Sequence, residues 1–182
     1  MCAGYLTWPQ AERFEILPYS HGQSAERQIN PKDKAPVFVQ EGRSIAARAM
    51  RWGLPLQRDM TLFSARVEDA QEAPLLRAAY GFRRCAIPVN GYYEENAQGE
   101  RFVFREREHA LLYIAGLYTE TKDGDCFVML TAKSAENRNA RVPPLLYADQ
   151  TIRWLESTAQ ADAFREMGST ARLFCRGIKL RA

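Results

Sequence analysis

Histidine is nearly missing from this chain, with only His21 and His109 among 182 residues, both in polar stretches that read as solvated surface. Imidazole is the usual proton carrier near neutral pH and the commonest metal ligand, so chemistry that depends on it has little to draw on here. Cysteine is sparse as well. The four residues, at positions 2, 85, 126 and 175, form no Cys-x-x-Cys pair and have no histidine cluster nearby, which argues against a zinc site. Cys85, Cys126 and Cys175 lie in apolar runs and read as reduced core residues. No run approaches membrane-spanning length. The stretch holding Trp8, Pro9, Glu12 and Glu15 is too polar for a signal peptide, so a reducing cytoplasm is the expected compartment. There is no repeat, low-complexity tract or linker, and no long apolar seam for self-association, so one domain acting as a monomer is expected. Nothing in the pattern calls for a cofactor or a metal.

A large charge of one sign is also lacking. Lys and Arg number 25 against 22 Asp and Glu, giving a formal charge of +3 and a pI near 8.7. This permits nucleic-acid binding without arguing for it. The 46% hydrophobic content is enough to bury one sizeable core.

What is present is mostly strand signal. Dense β-branched, aromatic or alternating apolar residues predict strands at 35–40, 44–52, 61–66, 84–89, 101–106, 111–119, 126–132 and 172–179. Loop residues at 95–99 and 121–124 predict hairpins and an antiparallel meander. Helices are expected at 74–80, with Pro74 in the first turn and Gly81 as stop, at 150–155 behind Asp149 as N-cap, and at 161–167 closed by Gly168. The fold class is α+β, mainly antiparallel and barrel-like, with a few peripheral helices.

Two features carry chemistry. Cys2 follows the initiator Met, and a small second residue permits removal of Met1 to leave an N-terminal cysteine. Such a residue holds an α-amine titrating near ~7.7–8.0 and a thiol near ~8.5. The amine attacks an aldehyde to give a Schiff base, and the thiol then closes a five-membered thiazolidine ring. The second feature is the run from Arg83 to Glu94, a buried-type strand through Pro88 that runs into a turn at Gly91 and ends on a carboxylate aimed from a rigid element. Basic clusters at Arg43, Arg48 and Arg51, at Arg77, Arg83 and Arg84, and at Arg138 and Arg141 interleave with Trp52, Tyr92 and Tyr93. That pattern suits either a strand-binding groove with stacking rings or an ordinary half-exposed sheet.

Met1-Cys2, Arg51-Trp52-Gly53-Leu54, Ala65-Arg66-Val67-Glu68, the run from Arg84-Cys85 to Glu94, and Arg141-Val142-Pro143 occur in order over residues 1 to about 156. Together they resemble the SOS-response-associated peptidase (SRAP) family of abasic-site-processing proteins. The resemblance implies a binder of single-stranded DNA that captures abasic sites as a thiazolidine crosslink on Cys2, with thiol autopeptidase activity removing what precedes that residue. It implies Cys2 as nucleophile and Glu94 as proton carrier, Arg66 and Arg141 near the DNA backbone, and Thr131 as a further DNA-proximal position. Trp52 and Arg84 join the expected DNA-binding set from the basic and aromatic pattern.

The chain also departs from the family pattern. Ser64 stands where the family has Asn, and Asn139 where it has an active-site His. Asn exchanges no proton near neutral pH, which costs a step served by that His roughly 10²–10⁴-fold. Ala3-Gly4 replaces Gly-Arg, Pro55-Leu56-Gln57 replaces a tryptophan pair, and Glu95 stands for a common Trp. The alternative is therefore a catalytically weakened or inactive single-strand binder or phage-type accessory protein on the same scaffold. A general cysteine peptidase is disfavoured because no Cys-His pair is visible.

Overall fold

Period-two alternation decides how this chain packs. In the computed structural model, which describes residues 2–7, 27–57, 59–96, 98–106, 112–133, 141–156 and 173–176, successive side chains of the central strands enter different cores. Val37 and Val39 of β3 (Lys34–Glu41), Cys85 and Ile87 of β8 (Arg84–Val89), and Ile114 of β11 (Leu112–Thr119) share one core with Phe127 and Met129 of β12 (Cys126–Lys133). Their neighbours Phe38, Ala86, Tyr113, Ala115, Val128 and Leu130 belong to a second core on the opposite face. A sheet with both faces apolar must be covered on both sides.

Three helices cover the second face: α1 (Val67–Glu72), α2 (Pro74–Phe82) and α3 (Ala148–Glu156) contribute Ala70, Leu76, Ala79, Tyr80, Trp154 and Leu155. A second sheet closes the first face. It runs in the order β15 (Leu173–Arg176), β10 (Arg101–Glu106), β9 (Gly91–Glu95), β1 (Cys2–Thr7) and β2 (Arg27–Ile29), and sends Tyr5, Ile29 and Tyr92 into the core. Within the larger sheet, β12 pairs antiparallel with β11 over four positions and parallel with β4 (Ser44–Trp52) over two, so the sheet curls into a barrel-like form.

Several expectations need correction. The strand read over 61–66 breaks at Phe63 into β6 (Thr61–Leu62), which pairs with β5 (Leu54–Pro55), and β7 (Ser64–Arg66), which pairs parallel with β12. The Phe63 carbonyl accepts both Met129 N at 3.1 Å and Trp52 Nε1 at 2.9 Å, so the chain changes partner at that residue. The parallel pairs interrupt an otherwise antiparallel meander. Gly91 opens strand β9 instead of making a free turn. A Cβ there would lie 2.6 Å from the Phe104 carbonyl oxygen, so glycine allows β9 and β10 to close. Asp149 sits inside the first turn of α3, and Gln150 Oε1 accepts the Tyr147 N–H at 3.0 Å at the helix start. The helix at 161–167 lies outside the described residues.

Candidate functional site

The first group is set by the β1–β9 ladder. Cys2 and Glu94 are register partners across it, and the next pair is Gly4 with Tyr93, so the register shifts at Ala3. On its other side Glu94 faces Phe102 of β10. Tyr92 stacks on Phe104 with centroids 4.9 Å apart, and Tyr93 clusters with Leu6 and Val103, so these rings anchor β9 and are not free to receive a base. The strand that carries Glu94 is thereby fixed from both flanks.

Glu94 itself is half-buried. Its Oε1 is shielded from solvent and accepts no hydrogen bond among the described residues. Burial raises its carboxyl above the ordinary glutamate value, opposed by the positive charge of the amino terminus. A carboxyl in this state holds its proton further toward neutral pH than a solvated one and can both donate and recover it.

The second group gathers around the ends of β7 and β12. Thr131 is the register partner of Arg66, and Ser64 that of Met129. Thr131 Oγ1 donates to the Ala65 carbonyl at 3.4 Å and accepts Nε of Arg141 at 3.3 Å. Arg141, on β13 (Arg141–Val142), also donates from Nη2 to the Thr131 carbonyl at 2.7 Å and to Glu68 Oε2 at 2.6 Å. Arg66 is exposed, with Asp69 as its ion partner at 3.9 Å. Thr131 thereby brings Arg66 and Arg141 together at the ends of these strands. Glu68 completes the group, and was visible in the sequence only as part of a motif. Both groups border the same core, through Tyr5 and Tyr92 for the first and Met129 for the second.

Two residues expected to contact DNA lie in the interior of the protein. Trp52 is 1% exposed, its ring packed edge-on against Tyr5 and Phe63 and stacked on Phe127, with Nε1 bonded to Phe63. No face of the indole is left for a base. Arg84 is 5% exposed. Its Nε donates to the Tyr80 carbonyl at 2.8 Å and Nη1 to the Trp154 carbonyl at 3.3 Å, while the guanidinium lies over both aromatic rings. It ties α2 to α3 and offers nothing to a phosphate. Asn139, His21 and His109 lie outside the described residues. Among the described residues no group of His, Cys, Asp and Glu could hold a metal ion, and no helix is long and apolar enough to cross a membrane.

Fold and site together define a class: an α+β domain with a barrel-like β core, in which the strand beginning at residue 2 pairs with a strand bearing a partly buried carboxylate, and a separate strand edge carries arginines. The family model for SOS response associated peptidase (SRAP) matches residues 2–175. The chain belongs to that family. It is 28% identical over 122 residues to an abasic site processing protein of Saccharomyces cerevisiae, covering 60% of this chain and 33% of the relative. To the abasic site processing protein YobE of Bacillus subtilis it is 25% identical over 145 residues, covering 70% and 66%. The chain thus spans a third of the yeast relative and just under two thirds of the bacterial one. The same fold occurs in a Bordetella bronchiseptica protein (TM-score 0.73, 21% identity, 98% and 100% coverage). It also occurs in a phage-related protein of that organism (TM-score 0.73, 16% identity, 98% and 94% coverage).

Proposed function

We propose that this protein captures abasic sites in single-stranded DNA covalently through Cys2. The observation that carries the reading is the β1–β9 register, which sets Cys2 opposite Glu94, a carboxyl whose burial favours its protonated form. Cleavage of the Met1–Cys2 peptide bond, with one water consumed and the Cys2 thiol as nucleophile, frees the α-amine. That amine adds to the aldehyde carbon of the ring-opened abasic sugar to give a carbinolamine. Glu94 protonates the departing hydroxyl, water leaves, and an imine forms. The thiolate then adds to the imine carbon and nitrogen takes up a proton, closing the thiazolidine. One water is released from amine and aldehyde, and no oxidant or reductant is needed. Holding the partners in place supplies most of the advantage for a reaction of this kind. Arg66, Arg141 and Thr131 hold the strand by its phosphates, with Ser64 and Asn139 as weakened polar partners.

The family membership and the names of the two relatives support DNA with abasic sites as the partner. The departure at Asn139 favours a second reading, a single-strand binder that no longer crosslinks. One denaturing gel separates the two. Incubated with an abasic single-stranded oligonucleotide, the parent shifts to a covalent species and Cys2→Ala does not. An unshifted parent that still retards the oligonucleotide under native conditions would overturn capture and leave the second reading.

A further inference from the structure

Both arginines assigned to the DNA backbone already face a carboxylate of their own chain, and for Arg141 the engagement is nearly complete. A guanidinium has five N–H donors. The Nε/Nη2 edge of Arg141 is spent on Thr131, on Oγ1 at 3.3 Å and the carbonyl at 2.7 Å. Its outer edge holds the Glu68 carboxylate, with Nη2 to Oε2 at 2.6 Å and Nη1 to Oε1 at 3.5 Å. Four of the five donors are in use. The outer edge is the one that a phosphate would grip in bidentate fashion, and carboxylate and phosphate present matching oxygen pairs to it. Burial differs between the partners: the Arg141 side chain is 24% exposed and that of Glu68 54%. The arginine is the fixed member, and the carboxylate is the one with room to leave.

We infer that Glu68 holds the place of a backbone phosphate on Arg141 and is displaced when a DNA strand binds, so that strand binding at this position is an exchange of anions. The inference rests on the reading above in which Arg141 contacts the strand. Glu68 is well placed to serve, since it lies in the first turn of a six-residue helix that begins directly after Arg66. Its carboxyl is held below the ordinary glutamate value, first by the Arg141 hydrogen bond, so it remains an anion throughout the neutral range. In the free protein, Thr131 and Glu68 keep the guanidinium oriented and neutralised. On binding, Thr131 continues to orient it while the outer edge changes partner. Discrimination follows from the competition. A single weak anion does not displace a carboxylate held at 2.6 Å, whereas a strand anchored at Arg66 as well delivers its next phosphate at high local concentration.

Exchange makes a prediction that a purely structural salt bridge does not. Removing the carboxylate frees one cation that must then shed a solution counterion when DNA binds. Affinity should rise, and the slope of log K against log salt should steepen by about 0.7 for one added phosphate contact on a single strand. The experiment measures equilibrium binding of an intact, non-abasic single-stranded oligonucleotide over a range of salt, so no chemistry at Cys2 is involved. Glu68→Gln and Glu68→Ala are expected to bind several-fold more tightly than the parent at low salt, with the steeper slope. Glu72→Gln, the same charge change on the same helix, should show much less of either effect. In an Arg141→Ala background, Glu68→Gln should change nothing. Weaker binding by both Glu68 variants with native-like melting would show that Glu68 positions Arg141 for DNA, overturning exchange. Equal gains for Glu68→Gln and Glu72→Gln would reduce the effect to net charge and also overturn it. If the parent binds no strand at any salt, the DNA-binding reading falls and this inference with it; if the parent binds and the Glu68 variants do not tighten, only this inference falls.

Discussion

Cys2 and Glu94 sit opposite one another across the β1–β9 ladder, 92 positions apart in sequence and adjacent in the sheet. The relationship depends on the shift at Ala3, on Gly91 admitting the β10 backbone, and on Tyr92 and Tyr93 anchoring the strand between them. Each of these can be altered without touching the two residues to which the capture reaction is assigned.

Glu94→Gln removes the proposed proton carrier and keeps the shape. The initial rate of adduct formation with an abasic oligonucleotide should fall by roughly 10²–10⁴-fold. The same variant reports on burial. Because the folded carboxyl titrates above its unfolded value, the stability it contributes is fully present below about pH 4 and is lost as pH rises through the raised value. Melting curves should therefore show Glu94→Gln more stable than the parent at pH 7, with the gap closing in acid. A gap that widened in acid would contradict the raised value.

Gly91→Ala places a methyl group against the Phe104 carbonyl and pushes β9 from β10. A loss of about 1–3 kcal/mol is expected from such overpacking, measured by urea unfolding. Adduct formation should slow more than native single-strand binding weakens, since β9 carries Glu94 and none of the arginines proposed to hold the strand.

Trp52→Phe keeps an aromatic ring and removes the Nε1 donor, leaving the Phe63 carbonyl with the Met129 N–H as its remaining partner. Destabilisation of about 1–3 kcal/mol is expected. Affinity for single strands, measured well below the melting temperature, should remain at the parent value. A specific loss of affinity in a stable variant would return Trp52 to the DNA interface.

Arg84→Lys retains the charge but loses the planar group that lies 4.7 Å from the Trp154 ring centroid and 5.3 Å from that of Tyr80. An ammonium cannot stack over both rings and bond both carbonyls in the same geometry. The melting temperature should drop, with the salt slope of DNA binding unchanged. A slope shallower by one phosphate contact would show that Arg84 reaches the strand after all.

The strands were legible because two apolar faces leave a period-two record, as in 84–89 and 126–132, each within one residue of its element. Helix α1 left no such record: it has six residues and Arg66 provides no side-chain cap. The alternation of arginine and apolar residues in 44–52 fits a groove and a half-exposed strand equally well, and only the packing of Phe63 and Phe127 decides the matter for Trp52. The burial of Arg84 was hidden for a related reason. It is created by α2 and α3 meeting over the side chain, across a sequence separation of 70 residues between Arg84 and Trp154. The pair of Glu68 with Arg141 spans 73 residues, and nothing local in either segment announces it.

Peptide mapping of the crosslinked species by mass spectrometry tests the capture reading most directly. After digestion, the nucleotide remnant should sit on the peptide that begins at Cys2 and lacks Met1, at the summed mass less one water for condensation of amine and aldehyde. A remnant attached to a lysine elsewhere, or a crosslinked peptide that still carries Met1, would contradict it.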